Sequence, residues 1–589
     1  MQLFKRSAYC GQINESFLGK EVFLCGWVNK RRDHGNLIFI DLRDRTGIMQ
    51  LVINPQINKI VTENAKSIRA EFVISVRGEV IKRAADSVNE KIETGNFELK
   101  VLDLSIINPS KALPYQLEEA DNVDDGLRLK YRYIDLRRKK MHNIIKLRHK
   151  IIFAIREYLN KNDFYEIETP ILSKSTPEGA RDFLVPSRLQ PGTFYALPQS
   201  PQIYKQLLMA SGMEKYFQLA RCFRDEDLRS NRQPEFTQLD IEMSFVNQSD
   251  VQEMCEGVLN AIWEKIFSAT LKLPIPKYTY QQIFKRFGTD KPDMRFDMEI
   301  KDFTKTFEHT ELKFLKSVID KDGKVGGICV KNKKFGKAEL NSFIDFATTK
   351  LGAKGLLFIQ FKEDGTPLSP ISKFLPTDFL KQAREIISDI MPADTLFLIA
   401  DNYYDAWLAL GKLRVLIADK LNLSSNNDFK FLWITDFPLL EWDKDEKRWG
   451  AKHHPFTSPQ KGWENLKPEQ IKAKSYDIVC NGEELGGGSI RIHDIKTQTK
   501  MFELLGISKN EIIDKFGFLL EAQEFGFPPH GGIALGLDRL IMMILKTDSI
   551  RDVIAFPKTQ SGNCPMMQTP SRVDAGQLQE LGIKIISKK

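Results

Sequence analysis

Residues 221–242 read RCFRDEDLRSNRQPEFTQLDIE, with four arginines and several carboxylates between two apolar-patterned segments. A charged stretch runs to Pro234, after which Phe236, Leu239 and Ile241 return to strand-like apolar spacing. The pattern predicts strand, long polar loop, strand. Guanidinium groups offer planar, permanently charged donors suited to phosphate oxygens. Glu226, Asp240 and Glu242 can accept from an ammonium or an adenine amine, or hold a metal. A solvated, salt-bridged hairpin is the bland alternative. It loses ground because matching parts recur along the chain.

Upstream, Ser200-Pro201-Gln202-Ile203-Tyr204-Lys205 reads as a helix start, with serine at the cap, proline at the first helical position and Gly212 suited to the far end. Gln202 and Lys205 share a face there, which taken alone would be an ordinary solvated face. Downstream, 531–544 passes from a glycine-bearing strand into an apolar helix near Gly536, Leu537, Asp538 and Arg539. Amides at a helix start beside an arginine attract phosphate. Between them, Asp477 and Glu484 are hard oxygen ligands of the kind magnesium uses with substrate phosphates. Gly486 to Gly488 could admit a ligand to the backbone, and Arg491 could read a carboxylate. His453 and His454 are too close-set for a two-histidine metal site and suit a substrate-contacting loop. No Gly-x-x-x-x-Gly-Lys-Ser/Thr loop or Gly-x-Ser-x-Gly elbow occurs. Any ATP would therefore be held by arginines and helix ends.

The chain's 589 residues need several cores. With 42% apolar and 28% charged residues, it has an ordinary globular composition. No long uncharged apolar run or signal peptide is recognisable, so no membrane contact and a cytoplasmic location are expected. Seven scattered cysteines without a Cys-x-x-Cys pair argue against a disulfide framework or structural zinc. The net charge of +8 suits a polyanionic partner without requiring one.

Five strand-like runs at 22–28, 37–42, 48–53, 72–80 and 97–104 suit a small barrel. Lys30 to Asp33 lie between the first two, and Phe39 sits on the second. Basic residues beside an aromatic on such a barrel describe an oligonucleotide-binding fold, unless Phe39 is simply core. Residues 109–140 read as an irregular hinge. Residues 144–159 have helical periodicity, and 164–172 is an extended segment that Pro170 confines to an edge. From about 280 to 425 mixed helix and strand signals with many lysines, and few chemically suggestive groups, indicate an inserted domain.

Taken together, these residues resemble the class II aminoacyl-tRNA synthetases, and among them the bacterial-type aspartyl-tRNA synthetases. The 164–172 segment is similar to the family's first motif at its dimer interface, 221–242 to its second and 531–544 to its third. Residues 176–182, 200–205 and 486–491 resemble its aspartate signatures. The resemblance implies an α+β multidomain protein. Its parts are an OB-fold anticodon-binding domain at 1–108, a hinge at 109–140, an antiparallel-sheet catalytic domain at 141–279 and 426–560 split by an α/β insertion at 280–425, and an extension at 561–589.

The resemblance also implies an ATP-dependent, magnesium-using ligase that joins L-aspartate to tRNA(Asp), as a homodimer. Glu178 and Asp240 would contact the amino acid, while Gln202, Lys205 and Arg491 would read its side-chain carboxylate. Arg224 would bind the α-phosphate and the substrate carboxylate, and His453 or His454 would touch aspartate. Asp225, Glu226, Gln233, Phe236, Glu484 and 536–539 would hold ATP, with Arg539 on the γ-phosphate. Asp477 and Glu484 would hold the metal. On the barrel, Arg32, Phe39, Gln50 and Glu98 would read the anticodon, with Asp86 as a second discrimination position. Members with histidine at the His34 position tend to charge tRNA(Asn) as well, where strict members often carry leucine. A solvated His34 without consequence is the other reading. Rivals are a sister synthetase for asparagine or lysine, an asparagine synthetase-like ligase, which needs no barrel, and a nucleic-acid-binding protein with a dead catalytic domain. Gln202, Lys205 and Arg491 together argue for an acidic side chain, and the retained Arg224 and Arg539 argue against a dead domain.

Overall fold

The computed structural model describes residues 5–176, 179–388, 390–425 and 428–586. The chain divides into two units, Met1–Asn143 and Ile144–Lys589.

In the first unit, β1 (Glu21–His34), β2 (Leu37–Arg43), β3 (Ile48–Ile53), β4 (Val73–Lys82) and β5 (Phe97–Asn108) close a barrel in the order β1-β2-β3-β5-β4. Alternation decides which side chains fill it. Ile38, Ile40 and Leu42 point inward from β2 and join Leu24, Leu51, Val76 and Leu99 in one core. Two expectations need correction. The first strand does not stop at Val28, because a bulge after it carries Lys30 to His34 onward, with Arg32 opposite Phe39 and His34 opposite Leu37. The hairpin closes through Gly35 and Asn36, with Gly35 at φ +58°, where a side chain would be strained. The 109–140 stretch is also more ordered than its sequence suggests. It forms helices Asp125–Lys130 and Arg132–Asp135, and Tyr115, Leu117, Ala120 and Ile134 make a small core. Buried Asp135 accepts from Arg138 at 2.9 Å and from Arg132 at 2.5 Å, which explains how so charged a segment can fold.

In the second unit, an eight-stranded sheet runs in the order Lys277–Thr279, Phe431–Thr435, Ser475–Cys480, Glu483–Ile490, His530–Gly536, Glu235–Ser244, Lys215–Phe223, Tyr165–Glu166. All pairs are antiparallel except the two at the edges. The expected extended segment at 164–172 contributes only Tyr165–Glu166, at the sheet edge, as Pro170 requires. The helical expectation for 144–159 falls within helix Lys139–Lys161, with Ile144, Ile151, Ile155 and Leu159 buried.

Within 280–425 a separate five-stranded sheet runs Lys301–Asp302, Lys324–Val330, Thr395–Asp401, Leu357–Phe361, Pro367–Leu368. It carries an apolar core on each face. Ile328, Phe397 and Ile399 pack with helix Tyr403–Lys420, and Val325, Leu396 and Leu398 pack on the other side. Among the described residues no helix is long and apolar enough to cross a membrane.

Candidate active site

The strands Glu235–Ser244, His530–Gly536 and Glu483–Ile490 form the floor of a cavity of about 560 Å³. Strand alternation aims Asp240 and Glu242 to the same face. Glu242 lies opposite Gly532, where a Cβ would fall 2.1 Å from Glu242 Oε2, so only glycine leaves room for that carboxylate. Helix Gln202–Ala210 supplies Gln202 and Lys205 from the side. Its N-cap is Pro201 rather than Ser200, whose hydroxyl accepts from the Gln202 amide at 3.3 Å. The face bearing Gln202 and Lys205 is not solvated, because Gln202 is 7% and Lys205 1% exposed.

A four-charge cluster sits at the centre. Lys205 Nζ lies 3.0 Å from Asp240 Oδ1 and 3.4 Å from Glu242 Oε2. Arg491 clasps Glu242 through Nε at 2.9 Å and Nη2 at 3.2 Å, and its Nη1 donates to Ser489 Oγ at 2.7 Å and to His454 Nε2. Burial pushes the Asp240 carboxyl up, an effect Lys205 only partly offsets. Burial also raises Glu242, but Arg491 and Lys205 more than reverse it and hold that carboxyl below its ordinary value. Burial, together with Arg491, keeps His454 well below the usual histidine range, consistent with Nε2 accepting from Arg491. His453, buried beside Lys452 and Arg491, is lowered to about 4. Both imidazoles are thus neutral near pH 7.

The wider cavity brings together most of the residues singled out from sequence. Arg224, Glu226, Gln233, Phe236, Asp477, Glu484, Gly536, Asp538 and Arg539 line it with Gln202, Lys205, Asp240, His453, His454 and Arg491. The Arg224 guanidinium lies 5.1 Å from the Phe236 ring centre. Arg539, in the first turn of helix Leu537–Leu545, donates to the Glu484 carbonyl across the cavity. Gln202 Nε2, Arg224 Nε, Asp240 Oδ2, His453 Nε2 and Arg539 Nε are buried without a hydrogen-bond partner among the described residues. Buried polar atoms are normally satisfied, so such a concentration around one cavity marks a site built for a polar, charged ligand.

Other residues are placed differently. Asp225 is outside the large cavity, its amide donating to Arg181 O at 3.0 Å beside a shallow second pocket. Leu537 is fully buried. Asp538 reaches the cavity wall, but its carboxylate accepts from the Thr237 amide at 2.7 Å and from Arg148, so it braces the helix start. The Gln233 side chain is likewise engaged, bonding Lys558 N at 2.8 Å and Lys558 O at 3.1 Å. Glu178 lies outside the described residues. Sequence reasoning had no role for Lys452 and Asp290 on the cavity wall, and it overlooked Glu242 as partner of both cations. The two-residue spacing of Asp240 and Glu242 on a strand was the signal for the latter.

Asp477 and Glu484 flank Gly487, where a Cβ would fall 2.5 Å from Asp477 Oδ1 and 3.9 Å from Glu484 Oε1. The triple glycine thus leaves a space between two carboxylates. Burial, then Glu484 and Asp290, push the Asp477 carboxyl well above its ordinary value, and a cation there would relieve this. No group of three or more His, Cys, Asp or Glu side chains arranged for a metal occurs among the described residues. Two carboxylates nonetheless fit magnesium, which takes its remaining ligands from phosphates and water.

On the barrel, Arg32 bonds Asp41 at 2.7 Å and Gln50 at 3.2 Å, and Gln50 passes the chain to Glu98 at 2.8 Å. Phe39 is half-buried beside them and His34 is exposed. Asp86 is exposed on the turn Ala85–Ser87, accepting from Ser87 Oγ. Arg83 went unnoticed in the sequence. It is 6% exposed and donates to Phe97 O at 2.9 Å.

Residues 124–560 match the family model for tRNA synthetases class II (D, K and N), and residues 22–107 match that for the OB-fold nucleic acid binding domain. The aspartate–tRNA(Asp/Asn) ligase of Caldanaerobacter subterraneus subsp. tengcongensis is 50% identical over 99% of this chain and 98% of its own length. The aspartate–tRNA ligase of Staphylococcus carnosus is 49% identical over 99% of both chains. Among solved structures, asparaginyl-tRNA synthetase from Pyrococcus horikoshii, complexed with asparaginyl-adenylate, shares the fold with a TM-score of 0.60 at 20% identity, covering 95% of this chain and 99% of that one. The chain belongs to the class II tRNA synthetases of the D, K and N group, with an OB-fold nucleic-acid-binding domain preceding the synthetase body.

Proposed function

We propose that this enzyme is an aspartate–tRNA ligase. It activates L-aspartate with ATP to the adenylate and pyrophosphate, then transfers aspartate to the 3′-terminal adenosine of tRNA(Asp). The observation that carries the amino-acid choice is the buried set Lys205, Arg491, Asp240 and Glu242. Each cation keeps unspent donors beyond those its internal partners take. These suit a side-chain carboxylate, while Asp240 Oδ2, which has no partner among the described residues, suits an ammonium. Asparagine would bring an amide to the same donors without the charge, a mismatch that buried polar sites reject.

Activation requires the α-carboxylate to approach the α-phosphorus in line. Arg224 neutralises charge on that phosphate and Phe236 offers a stacking face for adenine. Arg539, at the helix start, takes the far end of the triphosphate. Asp477 and Glu484 would hold magnesium, which when bound supplies further neutralisation of the polyphosphate. Gly487→Ala is expected to lower magnesium-dependent ATP–pyrophosphate exchange about a hundredfold, since its Cβ would displace a carboxylate by an ångström or more. Unchanged exchange at low magnesium would refute that role.

We assign the segment with exposed Tyr165, Ile171 and Leu172 to a homodimer interface, because unpaired apolar surface of this kind suits a second copy. His34, exposed at the tip of the β1–β2 hairpin, supports tRNA(Asn) as a second substrate. Charging purified tRNA(Asp) and tRNA(Asn) separately with labelled aspartate tests the ligase reading and the tRNA(Asn) assignment. Product on both is expected, with His34→Leu lowering charging of tRNA(Asn) more than of tRNA(Asp). No ATP-dependent product on either would remove the enzyme reading.

A further inference from the structure

The inserted segment offered no readable site in the sequence, yet one of its loops reaches the main cavity. Residues 289–298 leave helix Tyr280–Phe287 and run to the inserted sheet, and Asp290 lines the main cavity. The loop is held from the inserted side by Arg414 on helix Tyr403–Lys420, which is 1% exposed. Its guanidinium donates to Asp293 O and Phe296 O at 2.8 Å each and to Met298 O at 3.2 Å, and it sits 4.1 Å from the Phe296 ring centre and 4.7 Å from that of Phe287. A buried arginine bonded to backbone carbonyls in place of a carboxylate fixes main-chain shape.

From the other side, the loop braces the hairpin that carries Asp477 and Glu484. Lys291 Nζ lies 3.6 Å from Glu483 Oε2, and a Cβ at Gly482 would be 3.5 Å from Asp293 Cβ. The hairpin turn itself, Asn481-Gly482, takes positive φ at both residues, +53° and +88°, so its shape is strongly specified. Lys452, also on the cavity wall, feels Asp290 and is bonded to Glu441 at 3.0 Å.

We propose that Asp290 is a cation-affinity residue of the activation reaction, held in place from the inserted domain by Arg414 acting as a positioning residue. This inference rests on the reading of Asp477 and Glu484 as the magnesium carboxylates. A third carboxylate on the same wall deepens the negative potential there without needing to touch the ion.

Two measurements test it. Mn²⁺ binding is followed by electron paramagnetic resonance in the presence of a non-hydrolysable ATP analogue, and aspartate-dependent pyrophosphate exchange is titrated with magnesium. For Asp290→Asn, a half-buried position that tolerates the change, both half-saturating concentrations should rise on the order of tenfold. Turnover at saturating magnesium and KM for aspartate should stay within about twofold, and Asp290→Glu should recover most of the affinity. Arg414→Gln should shift metal affinity in the same direction. Wild-type metal curves in Asp290→Asn, or a raised KM for aspartate alone, would overturn the inference. Wild-type protein that shows no metal-dependent exchange would instead overturn the underlying magnesium reading.

Discussion

Lys205→Met should reduce kcat/KM for aspartate in ATP–pyrophosphate exchange by about two to four orders of magnitude. The ammonium is 1% exposed and stands between Asp240 and Glu242, so its removal leaves two buried carboxylates with one cation and takes away a donor for the substrate. Breaking a buried pair from one side costs about 3–5 kcal/mol, and part of that falls on stability. The pH dependence separates the two effects. The folded-state pKa of Asp240 is already raised by burial, and losing Lys205 raises it further. A carboxyl raised in the folded state contributes stability below its unfolded pKa and loses it as pH rises through the folded value. The variant's deficit in Tm should therefore be smaller near pH 5 than near pH 8, whereas the catalytic loss should persist at both. Near-normal exchange at pH 7 would remove the substrate assignment.

Arg224→Gln is expected to cost about a hundred- to a thousandfold in kcat for the same exchange, the scale on which loss of one preorganised transition-state donor is felt. The fold should barely respond, because the Arg224 side chain has a buried Nε without a partner and its main contact is the Phe236 face at 5.1 Å. Arg224→Lys should recover little, since a point charge replaces neither the planar stack nor the forked donors. A thermal midpoint near wild type with a kcat loss in this range supports the role. A kcat within fivefold of wild type contradicts it.

The parts of this molecule most legible in its sequence are those with a short physical period. Alternation in the strand Leu37–Arg43 and in the four runs around it located the barrel strands to within a few residues, although it ended the first strand early. The pairing of Arg32 with Phe39 depends on a bulge that no period announces. The polar loop between two strands at 221–242 was readable because arginines, proline and returning apolar residues each have a local meaning. The engagement of Gln233 with Lys558 was not, because the two residues are 325 positions apart. For the same reason Lys205 looked like a surface lysine from its own helix. Only Asp240 and Glu242, brought over by the sheet, make it a buried one. Asp290 and Arg414 were hidden in a stretch whose spacing suggests nothing beyond packing. Their contacts appear only once the inserted sheet is in place.

On the proposed reading, two buried cations, balanced by two buried carboxylates, select an acidic amino acid for activation. The most direct measurement is ATP–pyrophosphate exchange by the purified wild-type protein with aspartate, asparagine or lysine as the sole amino acid, in the absence of tRNA. Aspartate should support exchange, with asparagine and lysine at least about a thousandfold weaker in kcat/KM. Exchange supported equally well by asparagine or lysine, or by neither of them nor aspartate, would contradict it.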